Sequence, residues 1–466
     1  MSQSPIKVIL IMLGFTLAAC NGAVELPPVT PTPVTPTAPK PVPVPVVVTE
    51  AESHYSLTVK IKDDDTVAGL ETKYGGKVVI WRPEGKFAVL ALTKATGDQL
   101  GQTPDATLET NKKVFSGGIE LATANDSVSA WDNGSVSAWA GGSVSAWAGG
   151  SVSAWAGGSV SAWAGGSFVP VPKNTAKWQK LNLQQAQTLA TNLGAGVKVA
   201  VIDTGLDLQH PAFEGGLVPA SEMWDYVGND AVPQEEGTLS AGSAYGHGTS
   251  VAGIILQIAP KVKILPLRVL GSDGSGDVLN VAAAINRALD EGAQIINLSL
   301  GSDTYSQAVT DAINAATAKG VFVISSSGNS GNTNVTFPAN QAGFDLTTTG
   351  LYSLSVGSVD DSDQKSSFST YGNTLELSAP GEQVFGPVPE NHLGAWSGTS
   401  MAAPMVSATL ALALGEKLKV TLADLTKKLK NRSVNIYRQN QNLGFQNLLG
   451  DGRLDVYDFL STVMMP

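Results

Sequence analysis

Val-Lys-Val-Ala-Val-Ile-Asp-Thr-Gly, residues 197–205, is the stretch whose reading decides the fold. Val197–Ile202 is an apolar, β-branched run of strand length that delivers Asp203 and a turn glycine. Outward from it the chain alternates. Val251–Ile258 reads as helix, Val262–Leu270 as strand, and Val278–Leu289 as a helix stopped by Gly292. Ile295–Leu300 is a strand, Gln307–Ala318 a helix ending at Gly320, and Val321–Ile324 another strand. Apolar strands alternating with helices are covered on both faces, which predicts an α/β fold, a doubly wound, mostly parallel sheet. Functional groups in such sheets gather at the carboxyl ends of strands, where Asp203 falls.

Two more segments carry chemistry. Gly246-His247-Gly248-Thr249 puts an imidazole at the start of a predicted helix. Ser397-Gly398-Thr399-Ser400-Met401-Ala402-Ala403-Pro404 puts a hydroxyl where another helix begins. Acyl transfer to serine needs a hydroxyl, a base within reach and a carboxylate that orients the base. Gly246 and Gly248 are expected to leave room beside His247 for a substrate chain, and Gly398 to let backbone approach Ser400. Singly, the three residues read as a capping Asp, a surface His and a helix-cap Ser.

Jointly and in this order, the segments resemble the Asp, His and Ser signature regions of the subtilase family, over residues 175–460 or thereabouts. The resemblance implies a serine endopeptidase with Ser400 as nucleophile, His247 as base and then acid, and Asp203 fixing the histidine tautomer. Ser325-Ser-Ser-Gly328-Asn329 matches the family's oxyanion segment, which implies that Asn329 and the Ser400 N–H bind the oxyanion. Alone, Asn329 is a turn asparagine. Ser299-Leu300-Gly301 resembles the strand lining the P1 pocket, and Gly274-Ser275-Gly276 the edge that pairs with substrate backbone. Backbone pairing implies broad specificity. No acidic residue is placed in the pocket, so an apolar or aromatic P1 is expected.

The chain also departs from the family. Ser250 stands where a second His is common, and Met405-Val406 follow Pro404 where the family usually has His-Val. Ile258-Ala-Pro260 runs straight into the next strand, without the insertion that forms a high-affinity calcium loop in many subtilisins. No cofactor is therefore expected to be required. Asp225, Asp230, Glu235 and Glu236 could bind an ion elsewhere but read as solvated loop carboxylates. His54, His210 and His392 are scattered and there is no H-E-x-x-H, which argues against a zinc protease. Gly271–Gly276 lacks the G-K-[ST] of a phosphate loop, and Gly450–Asp455 reads as a turn before a closing helix.

The N-terminal part has another texture. Lys7, the apolar Val8–Phe15 and Leu17-Ala-Ala-Cys20 form a secretory signal pattern, and Cys20 is the sole cysteine, so no intramolecular disulfide exists. The ending resembles a bacterial lipobox, which implies lipidation of Cys20 and a membrane-anchored precursor. An ordinary signal with an incidental Cys, or an uncleaved helix, is the alternative. Residues 23–49 are proline-rich and favour an extended spacer. In 53–95, strands at 56–61, 78–81 and 87–92 and a helical face of Val67, Leu70 and Tyr74 suggest a small α+β module. In position and pattern it resembles a subtilase inhibitor propeptide, or it is an unrelated small domain. Ser-Val-Ser-Ala-Trp then recurs every eight residues, with Trp131, Trp139, Trp147, Trp155 and Trp163. Stacked strands and a glycine-rich tether both fit, as do a binding role and a plain linker.

The resulting plan is 1–20 signal peptide, 21–50 linker, 51–115 propeptide-like domain, 116–172 processing linker with repeats, and 173–466 catalytic domain. A net charge of −11 and no Lys/Arg cluster speak against nucleic acid as a partner. The expected partners are peptide substrates, the chain's own propeptide and, through the lipid, a membrane. The expected location is the cell envelope for the precursor and the exterior for the mature domain. The competing expectation is a surface adhesion protein whose Trp repeats bind and whose protease fold is vestigial.

Overall fold

The computed structural model describes residues 44–101, 103–116, 172–238, 244–342, 351–418, 420–438 and 440–465. The signal pattern, Cys20, most of the proline-rich segment and the Trp repeats lie outside the described residues.

The first element group comprises β1 (Tyr55–Lys60), α1 (Val67–Tyr74), β2 (Lys77–Arg82), β3 (Phe87–Leu92) and β4 (Ala106–Thr110). The strands form one antiparallel sheet in the order β2-β3-β1-β4. Thr66 starts α1 by accepting from the Gly69 N–H, and left-handed Gly75 ends it. β3 is apolar throughout because both its faces are covered. Ala88, Leu90 and Leu92 join Leu57, Leu70 and Tyr74 in the core of this unit. Phe87, Val89 and Ala91 turn the other way, into a core shared with the large domain. Neither β4 nor β5 (Lys113–Ser116) is legible as a strand from its residues, because each is only four or five positions long.

The large domain is built on β6 (Lys198–Asp203), β7 (Trp224–Asp225), β8 (Lys263–Arg268), β10 (Ile295–Leu298), β12 (Phe322–Ser326), β13 (Ser353–Val359) and β14 (Leu377–Pro380). These seven strands lie parallel in the order β14-β13-β12-β10-β6-β8-β7. Connecting helices are α2 (His247–Ile258), α3 (Val278–Asp290), α4 (Gln307–Ala318) and α5 (Thr399–Gly415), followed by α6 (Leu422–Asn431) and α7 (Val456–Met464). Val199 and Val201 of β6 pack on the face that carries α2 and α5. Ala200 and Ile202, one residue out of phase, pack on the face that carries α3 and α4. Helices therefore cover both faces of the sheet, the doubly wound arrangement expected from the alternating pattern.

The run Ile295–Leu300 is not one strand. It breaks at Ser299, so that β11 (Leu300–Gly301) leaves the parallel sheet. β11 joins β5 and β9 (Ser275–Asp277) in a small antiparallel sheet ordered β11-β5-β9. A hairpin, β15 (Val384–Val388) with β16 (His392–Trp396), precedes α5. Among the described residues no helix is long and apolar enough to cross a membrane.

Candidate active site

Asp203 is the last residue of β6 and is wholly buried. Its Oδ1 accepts from the Thr204 N–H at 2.8 Å and lies 2.7 Å from His247 Nδ1. That partnership puts the proton on Nδ1 of a neutral ring and leaves Nε2 as the acceptor. His247 is the first residue of α2, and its ring stands edge-on to Trp396, with centroids 5.6 Å apart. Its Nε2 is buried and has no hydrogen-bond partner.

Ser400 is the second residue of α5, a helix packed against α2, where Ser250 Oγ lies 4.0 Å from Met401 Sδ. Its hydroxyl donates to the Ser299 carbonyl at 3.2 Å rather than to His247. The reverse bond, Ser299 Oγ to the Ser400 carbonyl at 2.8 Å, has a local cause. Pro404 sits four residues on and has no N–H to offer that carbonyl. Ser299 supplies the missing donor and ties the helix of Ser400 to the end of β10.

Asn329 follows β12 and left-handed Gly328. Its Oδ1 accepts from the Thr399 N–H at 2.9 Å and from the Thr399 hydroxyl at 3.0 Å. With the oxygen so engaged, the Nδ2 hydrogens remain for a ligand. Asn329 lines a cleft of about 340 Å³ together with Gly274, Gly301, Ser302, Asp303 and Thr336.

β5 lies along this cleft between the two segments expected to bind substrate. Val114 pairs with Gly276 and Phe115 with Ser275 on one side. Phe115 pairs with Gly301 and Ser116 with Leu300 on the other, and the Ser116 N–H donates to the Gly274 carbonyl at 2.9 Å. Gly274, Ser275, Gly276, Leu300 and Gly301 thus hold an extended peptide, and Ser299 comes next in register toward Ser400.

Several expectations need correction. Gly248 does not make room for substrate: a Cβ there would lie 2.2 Å from the Gly205 carbonyl oxygen, so the space belongs to the turn after Asp203. Gly246, at φ +99°, faces Pro389 and Val388. Gly398 has extended backbone that any residue adopts; the close approach is at Gly381, whose Cβ would meet the Gly398 carbonyl oxygen at 2.6 Å. Asp273 and Asp303 also line the cleft, on turns flanking the paired segments. Hydrogen bonds from the Ser275 N–H and hydroxyl hold the Asp273 carboxyl below its usual range.

Of the four loop carboxylates read as solvated, Asp230 and Glu236 are exposed but Asp225 and Glu235 are buried. Asp225 pairs with Arg268 at 2.9 Å. Glu235 sits behind the Asp203–His247 pair, and burial pushes its carboxyl up to about 7. Two adjacent glutamates among polar neighbours give no sequence signal for such a place. α2 runs unbroken from His247 to Ile258 and the chain re-enters the sheet at Lys263, with no intervening loop of carboxylates.

Comparison with known proteins agrees with this geometry. The sequence model described as the Subtilase family matches residues 194–452, more than half of the chain. Thermitase of Thermoactinomyces vulgaris is 37% identical over 244 residues, which is 50% of this chain and 80% of that protein. Alkaline elastase YaB of Bacillus sp. (strain YaB) is 36% identical over 257 residues, 53% of this chain and 62% of that protein. Subtilisin BL of Lederbergia lenta is 34% identical over 268 residues, 56% of this chain and 88% of that protein.

Proposed function

The chain belongs to the subtilase family and is a serine endopeptidase, and from that premise we propose that Asp203, His247 and Ser400 are its catalytic triad. The observation that carries the assignment is the buried 2.7 Å contact between Asp203 and His247, on the helix packed against that of Ser400. His247 Nε2 takes the hydroxyl proton as Ser400 Oγ attacks the peptide carbonyl, then gives it to the departing amine. The hydroxyl must swing from the Ser299 carbonyl to Nε2, a bond that tightens when substrate is seated. Asn329 Nδ2 and the Ser400 N–H receive the oxyanion. Water then cleaves the acyl-enzyme by the same route. The mechanism invokes no metal or cofactor.

Substrates are protein segments in extended form, held mainly by backbone and hence over a broad range of sequences. The P1 preference we propose is apolar or aromatic, in a cleft that Asp273 and Asp303 also line. Purified protein should hydrolyse casein, and a serine-directed inhibitor should stop it. Ser400→Ala should lower kcat by about a millionfold, as loss of the nucleophile does in a subtilisin. Casein hydrolysis undiminished in that variant would remove Ser400 from the mechanism.

We further propose self-processing. Residues 51–115 act as an inhibitory propeptide whose last strand fills the substrate cleft. Because β5 runs toward Ser400 with Ser116 opposite Leu300, the cut lies beyond Ser116, in the processing linker. The precursor is lipid-anchored at Cys20 and cleavage releases the catalytic domain outside the cell. An adhesion protein with a vestigial protease fold draws no support from these relatives.

A further inference from the structure

Glu235 is a buried titratable group that plays no part in the proposed mechanism, yet it bonds to the chain neighbours of both Asp203 and His247. Its position explains why two separate chain segments meet so closely. The segment that carries it is stapled to the turn after Asp203, with the Glu235 N–H on the Leu206 carbonyl at 2.8 Å and the Leu206 N–H on the Pro233 carbonyl at 3.0 Å. Gly205, at φ +101°, is required there, since a Cβ would lie 2.8 Å from the Pro233 carbonyl oxygen.

The carboxylate reaches across to the start of α2. Oε1 accepts from the Gly246 N–H at 2.7 Å and from the Thr204 hydroxyl. Oε2 accepts from the Thr249 N–H at 3.3 Å and from the Thr249 hydroxyl. Gly246 caps α2 but has no side chain to cap with. Two of the helix's four unsatisfied N–H groups, those of Gly246 and Thr249, therefore turn to Glu235. That of Gly248 turns to Thr204 Oγ1 at 2.9 Å. Thr204 adjoins Asp203, and His247 lies between Gly246 and Gly248. One carboxylate thus bonds to both neighbourhoods of the Asp203–His247 contact, and its charge suits a helix N-terminus.

We infer that Glu235 is a positioning residue for catalysis: its carboxylate clamps the His247-bearing helix to the Asp203-bearing turn, and through them fixes the imidazole for proton transfer. The inference rests on the triad assignment. The clamp works as drawn only with Glu235 ionised, because all four of its partners donate to it. Burial pushes this carboxyl up to about 7, the bonds from Thr204, Thr249 and Gly246 oppose the rise, and Asp203 adds to it. The other charged or titratable groups around it are His247 on α2, Arg268 at the end of β8, the neighbouring Glu236, and Asp207 and Tyr245, with Arg268 bonded to the Gln234 carbonyl at 3.3 Å. Protonation of Glu235 near neutrality loosens the clamp.

The test compares the parent, Glu235→Gln, Glu235→Ala and Ser400→Ala on a peptide substrate from pH 5 to pH 9. Glu235→Gln keeps the shape and one acceptor oxygen. It should lower kcat by roughly tenfold with KM little changed, and Glu235→Ala by up to about a hundredfold, the range typical of small misplacements of reacting groups. On the acid side, parental kcat should fall more steeply than that of Glu235→Gln, until the roughly tenfold gap between the two closes. In the Ser400→Ala background, Glu235→Gln should fold and melt no lower at pH 8. A raised carboxyl favours folding with its proton on, and that contribution is lost as pH rises from the ordinary 4.5 through 7. A folded Glu235→Gln enzyme with parental kcat and parental pH profile, or one altered only in KM, would overturn the inference. If Glu235→Ala fails to fold, Glu235→Gln decides alone. An active Ser400→Ala would instead break the triad assignment.

Discussion

His210 is 1% exposed, packs edge-on against Phe213, and its Nδ1 accepts from the Ala212 N–H at 3.1 Å. Burial lowers its pKa from 6.5 to about 4, against the pull of Asp207. Between those values the unfolded chain binds a proton that the folded one refuses, so stability falls as pH drops through that window. His210→Asn keeps an acceptor for Ala212 and cannot titrate. In the Ser400→Ala background its Tm should depend less on pH below about 6.5 than the parent's, by calorimetry. Asn329 is a second residue-scale case. Asn329→Ala would remove the proposed oxyanion donor together with the acceptor of the Thr399 N–H and hydroxyl. The expected loss is about a hundred- to a thousandfold in kcat with KM nearly unchanged, the figure for such a donor in a subtilisin. A change confined to KM would contradict the role. Sequence motifs singled out Asn329 and the proposed triad because those residues sit in segments that resemble a family signature. Glu235 sits in none and shows only in its bonds.

The docking of the small sheet is decided at the level of elements. β3 is apolar at every position because it lies between two cores, and that was visible in the string Phe87–Leu92. Its partner was not. Arg82 at the end of β2 reaches α3, donating to Asn286 Oδ1 and the Asn286 carbonyl, each at 2.6 Å, and pairing with Asp290. Glu109 accepts from the Gln307 N–H at 2.7 Å and Asn111 from the Leu279 N–H at 3.2 Å, so the small unit also caps α4 and α3. Arg82→Ala leaves Asn286 and Asp290 without this donor. It should cost roughly 2–4 kcal/mol of docking, less than a fully buried pair because Asp290 is a third exposed. In full-length Ser400→Ala protein, hydrogen exchange in β2–β5 should then quicken while β6 and β10 stay protected. Equal protection throughout would show that apolar packing alone holds the unit.

Across the whole molecule, the small unit and the cleft form one regulated system under the self-processing proposal. β5 is held by β9 and β11 on both sides, so the chain is its own first peptide in the groove. Wild-type protein should yield a shorter soluble form whose new N-terminus lies beyond Ser116, read by intact mass. Ser400→Ala should stay full length and membrane-associated. A normally processed variant, with no other protease present, would end the self-cleavage proposal.

By itself, the sequence determined the alternating α/β plan and the segments that carry Asp203, His247, Asn329 and Ser400, because strand and helix periodicity and short motifs are local properties. Only tertiary structure decided that Ser299 ends one sheet and begins another, that Gly248 makes space for a turn, that β5 lies in the cleft, and that Glu235 is buried. Each depends on what lies across a gap of many residues, and hydrogen-bond register and burial exist only once the chain has closed that gap.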